Sequence, residues 1–320
     1  MSILASNGNA VRAESAISGQ KATPWQKELS AAVRDAATLC ERLDLRQELA
    51  MAAAGGAADF PVFVPPAYLA RIRPGDPTDP ILRQVLPAQG ETIETPGFVA
   101  DPVGDRDAQL TAGVLQKYTG RALLVTTGAC AVHCRYCFRR SYPYQDVPHS
   151  DAAWDTALRT IADDNTIHEV ILSGGDPLML VDAKLARLVE KIAAIDHVRL
   201  LRVHTRLPIM IPTRVTEELI AWLTTSRLKP VVVIHANHAR ELDDEVASAM
   251  GRLRSAGVML LNQAVLLRGV NDSARAQAAL SLRLIEIGVL PYYLHQLDRV
   301  AGAAHFEVPL DKGKRIMQQL

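Results

Sequence analysis

The chain has 320 residues, 48% of them hydrophobic, and its 35 basic residues balance 35 acidic ones. A chain of this length buries a large core and suits one domain, or one domain with an added segment. Zero net charge gives no electrostatic case for binding nucleic acid or an anionic membrane surface, so we expect neither as a partner.

Three of the four cysteines are clustered, which indicates a reducing compartment rather than a disulfide framework. The first twenty residues lack the apolar core of a signal peptide. No stretch approaches the roughly 18 apolar residues of a membrane span. We therefore expect a soluble, cytoplasmic protein.

Residues 1–105 are predicted to form an N-terminal helical and proline-rich segment. Residues 1–24 are polar and are expected to be an irregular lead-in. A helix is predicted from Ser30 to Leu49, because apolar residues recur there at helical spacing, including Cys40. Residues 60–80 contain six prolines, which favours a segment that wraps a surface or links parts over a buried sheet.

Residues 106–310 repeat a unit in which a short apolar run is followed by an amphipathic helix. Strands are predicted at 121–127, 168–173, 199–205, 230–235, 257–266 and 289–295. Helical spacing of apolar residues lies between several of them, for example at Leu185, Leu188 and Ile192. Such alternation predicts an α/β fold with a parallel sheet and right-handed crossovers. Residues 311–320 are expected to begin a C-terminal helix.

Every predicted strand ends in polar residues, which packing alone does not explain. In parallel barrels and open α/β sheets, functional groups gather at the carboxyl ends of the strands. The residues at or near these ends include Ser173, Gly174, Gly175, Asp176, His235, Gln263 and Asp298. We expect them to lie around one site.

The first predicted strand leads into a loop with Cys130, Cys134 and Cys137. A four-iron cluster normally takes four thiolates, so three leave one iron open for chemistry. The alternative is zinc, whose loops favour cysteine pairs completed by a second pair. Because the remaining cysteine, Cys40, lies alone in a predicted helix, the sequence favours a [4Fe-4S] cluster.

This loop, with the aromatic residue Tyr136 before its last cysteine, resembles the radical S-adenosylmethionine (SAM) superfamily. The resemblance implies a partial (β/α)6 barrel and a [4Fe-4S] cluster whose open iron binds SAM. An electron donor would then drive cleavage of SAM to a 5′-deoxyadenosyl radical. Tyr136 is implied to pack against the adenosyl part of SAM, although a core aromatic is the alternative.

The same resemblance implies that the segment Ser173–Asp176 binds the amino group of SAM, although glycine pairs are usually simple turns. Two glycines let a backbone come close to a ligand. His235 and Gln263 match superfamily positions around SAM. A histidine at the end of a strand is also often a hydrogen-bonded core residue.

A closer resemblance is to the lysine 2,3-aminomutase family, which converts L-lysine to β-lysine by moving the amino group from C2 to C3. It rests on segments 75–80, 137–140, 172–176, 206–208, 235–238, 262–272 and 291–293. The family uses pyridoxal phosphate (PLP) as a second cofactor. Within that family the chain resembles the short bacterial members that supply β-lysine for modifying elongation factor P, which implies a functional link to an elongation factor P ligase.

By this resemblance, Arg139 grips the substrate carboxylate, which suits a planar bidentate guanidinium, and Asp298 pairs with the substrate ε-ammonium. A carboxylate there selects lysine over glutamate. Lys117 and Arg121 match positions near the PLP phosphate. Each also has an ordinary explanation: a solvated charge for Arg139, a turn or helix cap for Asp298, and basic residues before a strand for Lys117 and Arg121.

The sequence departs from the family near its end. Family members hold PLP covalently on a lysine in a glycine-containing C-terminal segment, whereas this chain stops at Leu320 inside the predicted last helix. Lys312 and Lys314 open that helix and lack this context. We therefore expect the PLP-lysine segment to be missing here. The alternatives are a radical SAM reaction without PLP, or a non-catalytic protein that binds a cluster or zinc.

Overall fold

The computed structural model describes residues 22–148 and 150–320. In these ranges eight strands form one sheet in chain order. They are β1 Gln109–Thr111, β2 Val114–Leu115, β3 Arg121–Thr127, β4 Glu169–Gly174, β5 Leu200–Thr205, β6 Lys229–Ile234, β7 Met259–Val265 and β8 Leu290–His295. Strands β1 to β3 pair antiparallel, and β3 to β8 run parallel. The predicted α/β partial barrel of six parallel strands is confirmed.

Helices connect the parallel strands and also build the N-terminal segment. The α-helices are Pro24–Ser30, Ala36–Arg42, Gln47–Asp59, Pro66–Leu69, Asp151–Ala162, Asp182–Ala193, Leu207–Met210, Glu217–Thr224, Asp244–Ser255, Ala274–Glu286 and Leu310–Gln319. Short 3₁₀ helices lie at Leu82–Gln84, Gln89–Thr92, Tyr144–Asp146, Pro177–Met179, Pro212–Arg214, Ala239–Glu241 and Ala304–Phe306. Within the two described ranges, no helix combines the length and apolar character needed to cross a membrane.

Four of the helices between the strands begin at side chains that cap them. Ser150, Thr216, Asp243 and Ser273 each accept a hydrogen bond from a backbone N–H of the following first turn. Such capping satisfies donors that a helix end leaves unpaired. Gly257 has a φ of 84° just after the helix that ends at Ser255. It therefore belongs to the end of that helix and does not open β7, whose predicted start at residue 257 is two residues too early.

The prediction of a single helix from Ser30 to Leu49 is wrong. The chain forms the helix Ala36–Arg42, turns at Leu43–Arg46, where Asp44 has a φ of 50°, and continues as Gln47–Asp59. Asp35 caps the first of these helices by accepting from Thr38 N at 2.8 Å. The predicted lead-in over residues 1–24 lies outside the described residues except for its last three.

The proline-rich stretch follows the surface only in part, as its residues 73–75, 77 and 78 are exposed, whereas its first residues are buried. The side chains of Phe60, Val62, Phe63 and Val64 are buried, and most of them belong to the core cluster that continues into the barrel. The stretch is not a sheet strand either, since Val64 makes only an isolated bridge with Val33. The prolines favour an extended backbone in the first part of the stretch, and this part is buried because the residues between the prolines are apolar.

Candidate functional site

The cysteine loop leaves the carboxyl end of β3. Cys130, Cys134 and Cys137 are all half-buried. Burial and the charges of neighbouring groups, including the other cysteines, raise the pKa of Cys130 well above its usual range and that of Cys137 to about 11. Thiols that influence each other this way lie close together, and bound metal would stabilise their thiolates.

The donor set fits a multi-iron cluster. Across the described ranges, no group of three or more His, Cys, Asp or Glu side chains surrounds a position for one metal ion. Each thiolate of a four-iron cluster binds its own iron, so the three sulfurs need not converge on one point. The loop therefore offers three soft ligands in one stretch of chain.

The N-terminal segment holds this loop in place. The fully buried Arg135 donates to the carbonyls of Phe60 at 2.6 Å and Gly56 at 2.9 Å, and it forms an ion pair with the buried Glu91 at 2.5 Å. Its own backbone N–H donates to Gln84 O at 2.9 Å. Sequence reasoning missed Arg135, although a charged residue between two predicted ligands was a usable signal.

The glycines at the end of β4 pack against the base of the cysteine loop. Gly174 has a φ of 128°, and a Cβ on Gly175 would lie 2.4 Å from Ala129 O. The N–H of Gly175 donates to Thr127 O at 2.7 Å. The two strand ends therefore approach more closely than any side chain would allow.

We expect Gly175→Ala to destabilise the fold by about 1–3 kcal/mol and to lower retention of the cluster, because the added methyl meets backbone. Thermal unfolding and iron content after anaerobic reconstitution are the measurements. Gly251→Ala is the matched control: Gly251 lies in a helix with nothing within 4 Å of an added Cβ. That change should stabilise the fold by about 0.5–1 kcal/mol. Equal behaviour of the two variants would contradict the prediction.

Asp176 joins the ends of β4 and β5. Its buried carboxylate accepts hydrogen bonds from Thr205 Oγ1 at 2.7 Å and from the backbone N–H groups of Arg206, Leu207 and Leu178 at 2.7–3.0 Å. Burial raises its pKa in spite of these bonds. Hydrogen-bond donors of the chain itself thus saturate the Asp176 carboxylate. A ligand at the Ser173–Asp176 segment would therefore contact Ser173–Gly175.

Asp105, which the sequence did not single out, contacts Arg139 and Lys117, which were predicted for the substrate and for PLP. Arg139 in turn contacts Ser173, which was predicted for SAM. Arg139 Nε donates to Asp105 Oδ2 at 2.7 Å, and Lys117 Nζ to Oδ1 at 2.6 Å. Arg139 Nη1 also donates to Ser173 Oγ at 3.0 Å. Burial raises the pKa of Asp105, but Arg139 and Lys117 outweigh it, so the pKa lies below its usual range.

Asp298 follows β8 and is half-buried near the same charges. Burial raises its pKa, while the charges of His295, Lys117 and Arg139 act against that rise. Within the described ranges, its carboxylate has no hydrogen bond or ion pair. The site therefore presents a carboxylate that is partly desolvated and lacks a cationic partner.

Tyr136 and His235 lie together between the cysteine loop and the end of β6. Tyr136 is buried, its hydroxyl accepts from Asn237 Nδ2 at 2.6 Å, and its ring meets that of His235 edge-on at 6.1 Å. His235 Nε2 is buried and lacks a partner among the described residues. Burial lowers the pKa of His235 well below its usual range, so the ring is neutral. Gln263 is half-buried on the next strand, β7. The buried Nε2 of His235, which lacks a partner among the described residues, could bind a polar group of a ligand.

Arg121 lies apart from the residues around Asp105. It forms an ion pair with Glu169 at 3.3 Å, and Glu169 also binds Arg202 at 2.6 Å. Arg121 opens β3, a strand of seven residues, whereas the cysteine loop follows its other end. Such a strand spans about 20 Å. Lys117 and Arg121 thus pair with different carboxylates, those of Asp105 and Glu169.

The Radical SAM superfamily profile matches residues 124–282, which begin in β3 and include the cysteine loop and the glycines after β4. The fold and the three-cysteine loop agree with this match. The chain is a radical SAM enzyme, a class that works with a [4Fe-4S] cluster and SAM.

Curated relatives define the family more closely. L-lysine 2,3-aminomutase of Escherichia coli (strain K12) is 45% identical over 92% of this chain and 86% of its own length. The protein of that name from Haemophilus influenzae is 43% identical over 88% and 83%. The one from Clostridium subterminale is 36% identical over 80% and 62%. The chain belongs to the L-lysine 2,3-aminomutase family and is an isomerase.

Among solved structures, one described as "Native anSMEcpe with bound AdoMet and Kp18Cys peptide" has a TM-score of 0.49 and 14% sequence identity. It covers 62% of this chain and 57% of the other. The likeness is too slight to bear on function.

Proposed function

We propose that the enzyme converts L-lysine to β-lysine by a 1,2-shift of the amino group, with a [4Fe-4S] cluster, SAM and PLP as cofactors. The observation that carries this proposal is the unpartnered, partly buried carboxylate of Asp298, which lies within electrostatic reach of the buried guanidinium of Arg139. We further propose that the product serves the modification of elongation factor P through a ligase, as in the short bacterial members of the family.

Arg139 and Asp298 offer opposite charges to the two ends of lysine. Arg139 would hold the substrate carboxylate with its planar fork, and Asp298 would pair with the ε-ammonium. Asp105 already binds Arg139 Nε and keeps the guanidinium in place. A substrate with a second carboxylate at its far end would meet like charge at Asp298, which favours lysine over glutamate.

Cys130, Cys134 and Cys137 would hold the cluster, and Tyr136, His235, Gln263 and the Ser173–Asp176 segment would surround SAM. When bound, the cluster and SAM supply a carbon radical that removes a non-acidic hydrogen, and PLP supplies a π-system for the migrating nitrogen. The protein excludes water and holds the substrate in register. A one-electron donor is required.

Lys117 would contact the PLP phosphate. Its Nζ pairs with the buried Asp105 at 2.6 Å, so bound phosphate would share this cation with that carboxylate. Arg121, which was predicted beside the same phosphate, pairs with Glu169 apart from Asp105 and would not join this contact.

We expect no stoichiometric covalent PLP adduct on a lysine of the described chain. Lys117 is close to the site, but its Nζ pairs with Asp105 at 2.6 Å and so is not free to attack an aldehyde. Lys191 pairs with Asp155 on an outer helix, Lys312 pairs with Asp272 in the loop before the helix Ala274–Glu286, and Lys229 is exposed. The measurement is borohydride reduction with PLP followed by peptide mass mapping, with Lys117→Gln as the control. One fully modified lysine would overturn the expectation.

Product analysis with L-lysine tests the proposed reaction. The protein is reconstituted anaerobically with iron, sulfide and PLP, then incubated with SAM, dithionite and L-lysine. The expected product is β-lysine, identified by chromatography and mass spectrometry, which an elongation factor P ligase should then accept. Absence of β-lysine from protein that holds its cluster, binds added PLP and cleaves SAM would contradict the proposed reaction.

A further inference from the structure

A buried arginine from outside the cysteine loop contacts one of the three cysteines. Arg206 follows β5, and its Nη1 lies 2.7 Å from Cys134 Sγ. Its Nη2 donates to Glu241 Oε2 at 2.7 Å and to Gln84 Oε1 at 2.7 Å. The guanidinium thus lies between the sulfur of a predicted cluster ligand and a carboxylate.

Hydrogen bonds hold the Glu241 side chain in place, as they do that of Arg206. Its carboxylate is fully buried, and Oε1 accepts from the backbone N–H groups of Asn237 and His238, both at 2.9 Å, and from Gln84 Nε2 at 3.0 Å. Arg206 itself is 6% exposed. Charges buried this deeply are poorly screened by water and salt, so each acts strongly on the sulfur beside it.

We propose that the Arg206–Glu241 pair sets the reduction potential of the cluster that Cys134 helps to hold. The inference rests on the proposed function, since it assumes a cluster on these three cysteines. In the step concerned, an external one-electron donor is oxidised and the cluster takes up that electron, passing from the 2+ to the 1+ state.

The added electron makes the cluster and its thiolates more negative. A guanidinium that donates to Cys134 Sγ stabilises that extra charge and raises the potential, whereas the carboxylate of Glu241 opposes it. Removing one partner at a time should therefore shift the potential in opposite directions. A purely structural role predicts no such opposition, because both losses would only loosen the loop.

The test is a mediated dithionite titration of the anaerobically reconstituted protein, followed by electron paramagnetic resonance of the reduced cluster. Arg206→Gln should lower the potential, and Glu241→Gln should raise it. At the potential where the unmodified protein is half reduced, we expect the reduced-to-oxidised ratio to change by about tenfold in each direction. Arg206→Lys keeps the charge without the fork and should shift the potential less than Arg206→Gln.

Arg202→Gln is the matched control, since Arg202 is also an arginine paired with a buried carboxylate, Glu169, and lies earlier in β5. The reduction potential of the cluster in the Arg202→Gln variant should equal that in the unmodified protein. Iron content is measured on every variant. Unchanged potentials, or shifts of the same sign in the Arg206→Gln and Glu241→Gln variants, would overturn the proposal. So would loss of the cluster from both, since the pair would then only hold the loop. A cluster-free unmodified protein would instead refute the proposed function.

Discussion

Cys134→Ser is expected to abolish both the iron–sulfur cluster and SAM cleavage. The unmodified protein should hold about four irons per chain after anaerobic reconstitution, because three thiolates and one open position suit a cubane cluster. A serine hydroxyl is a harder and far less acidic ligand than a thiol, so it does not replace the sulfur. Iron and sulfide analysis, visible absorption and release of 5′-deoxyadenosine are the measurements.

Cys40→Ser is the control for this experiment. Cys40 is buried on the helix Ala36–Arg42, in a different part of the fold from the loop, and burial raises the pKa of its thiol. The variant should keep its cluster and its SAM cleavage, with some loss of thermal stability from the buried hydroxyl. Loss of iron from this variant would show that the assumed ligand set is wrong.

Asp298→Asn should mainly damage turnover of lysine. In the active enzyme the change would leave a buried ammonium poorly paired, which costs about 2–5 kcal/mol in transition-state binding, or roughly 30-fold to several thousand-fold in kcat/KM. The measurement is β-lysine formation as a function of lysine concentration. Unchanged kinetics would make Asp298 a turn residue and remove the strongest local support for lysine as substrate.

The stability of the lysine-free protein separates a binding role from a structural one. Burial raises the pKa of Asp298, so its ionisation disfavours the folded state once the pH exceeds the unfolded pKa. Asp298→Asn should therefore not lower the melting temperature at pH 7. Asp105 has a lowered pKa, so its charge stabilises the fold above the unfolded pKa, and Asp105→Asn should lower the melting temperature.

The barrel was predictable because its strands are local apolar runs. The prediction for β3 matches its bounds, and the other parallel strands differ by one or two residues at their ends. The hairpin β1–β2 was not predicted, since strands of two or three residues carry too little pattern. The helix Glu217–Thr224 was missed too, although Thr216 followed by two glutamates is a start signal.

The residues that surround the site could be predicted less well than the cysteine loop. The loop carries its own signal in its spacing, whereas Asp105, Glu91 and Glu241 pair with arginines that lie 34 or more residues away in the chain. A lone acidic residue in a loop or 3₁₀ helix has no pattern that shows which arginine it will meet. Only the fold brings such charges together, and each then needs a partner because it is buried.

The contacts of Arg135 with Gly56, Phe60 and Glu91 couple the ordering of the N-terminal segment to metal binding at the cysteine loop. The chain between these partners spans 44 to 79 residues, so ordering the loop carries the entropic cost of bringing distant segments together. Thermodynamic linkage is reciprocal. Whatever free energy the ordered N-terminal segment lends to metal binding at the loop, metal binding returns to that segment, and loading the cofactor becomes a late, stabilising step of folding itself.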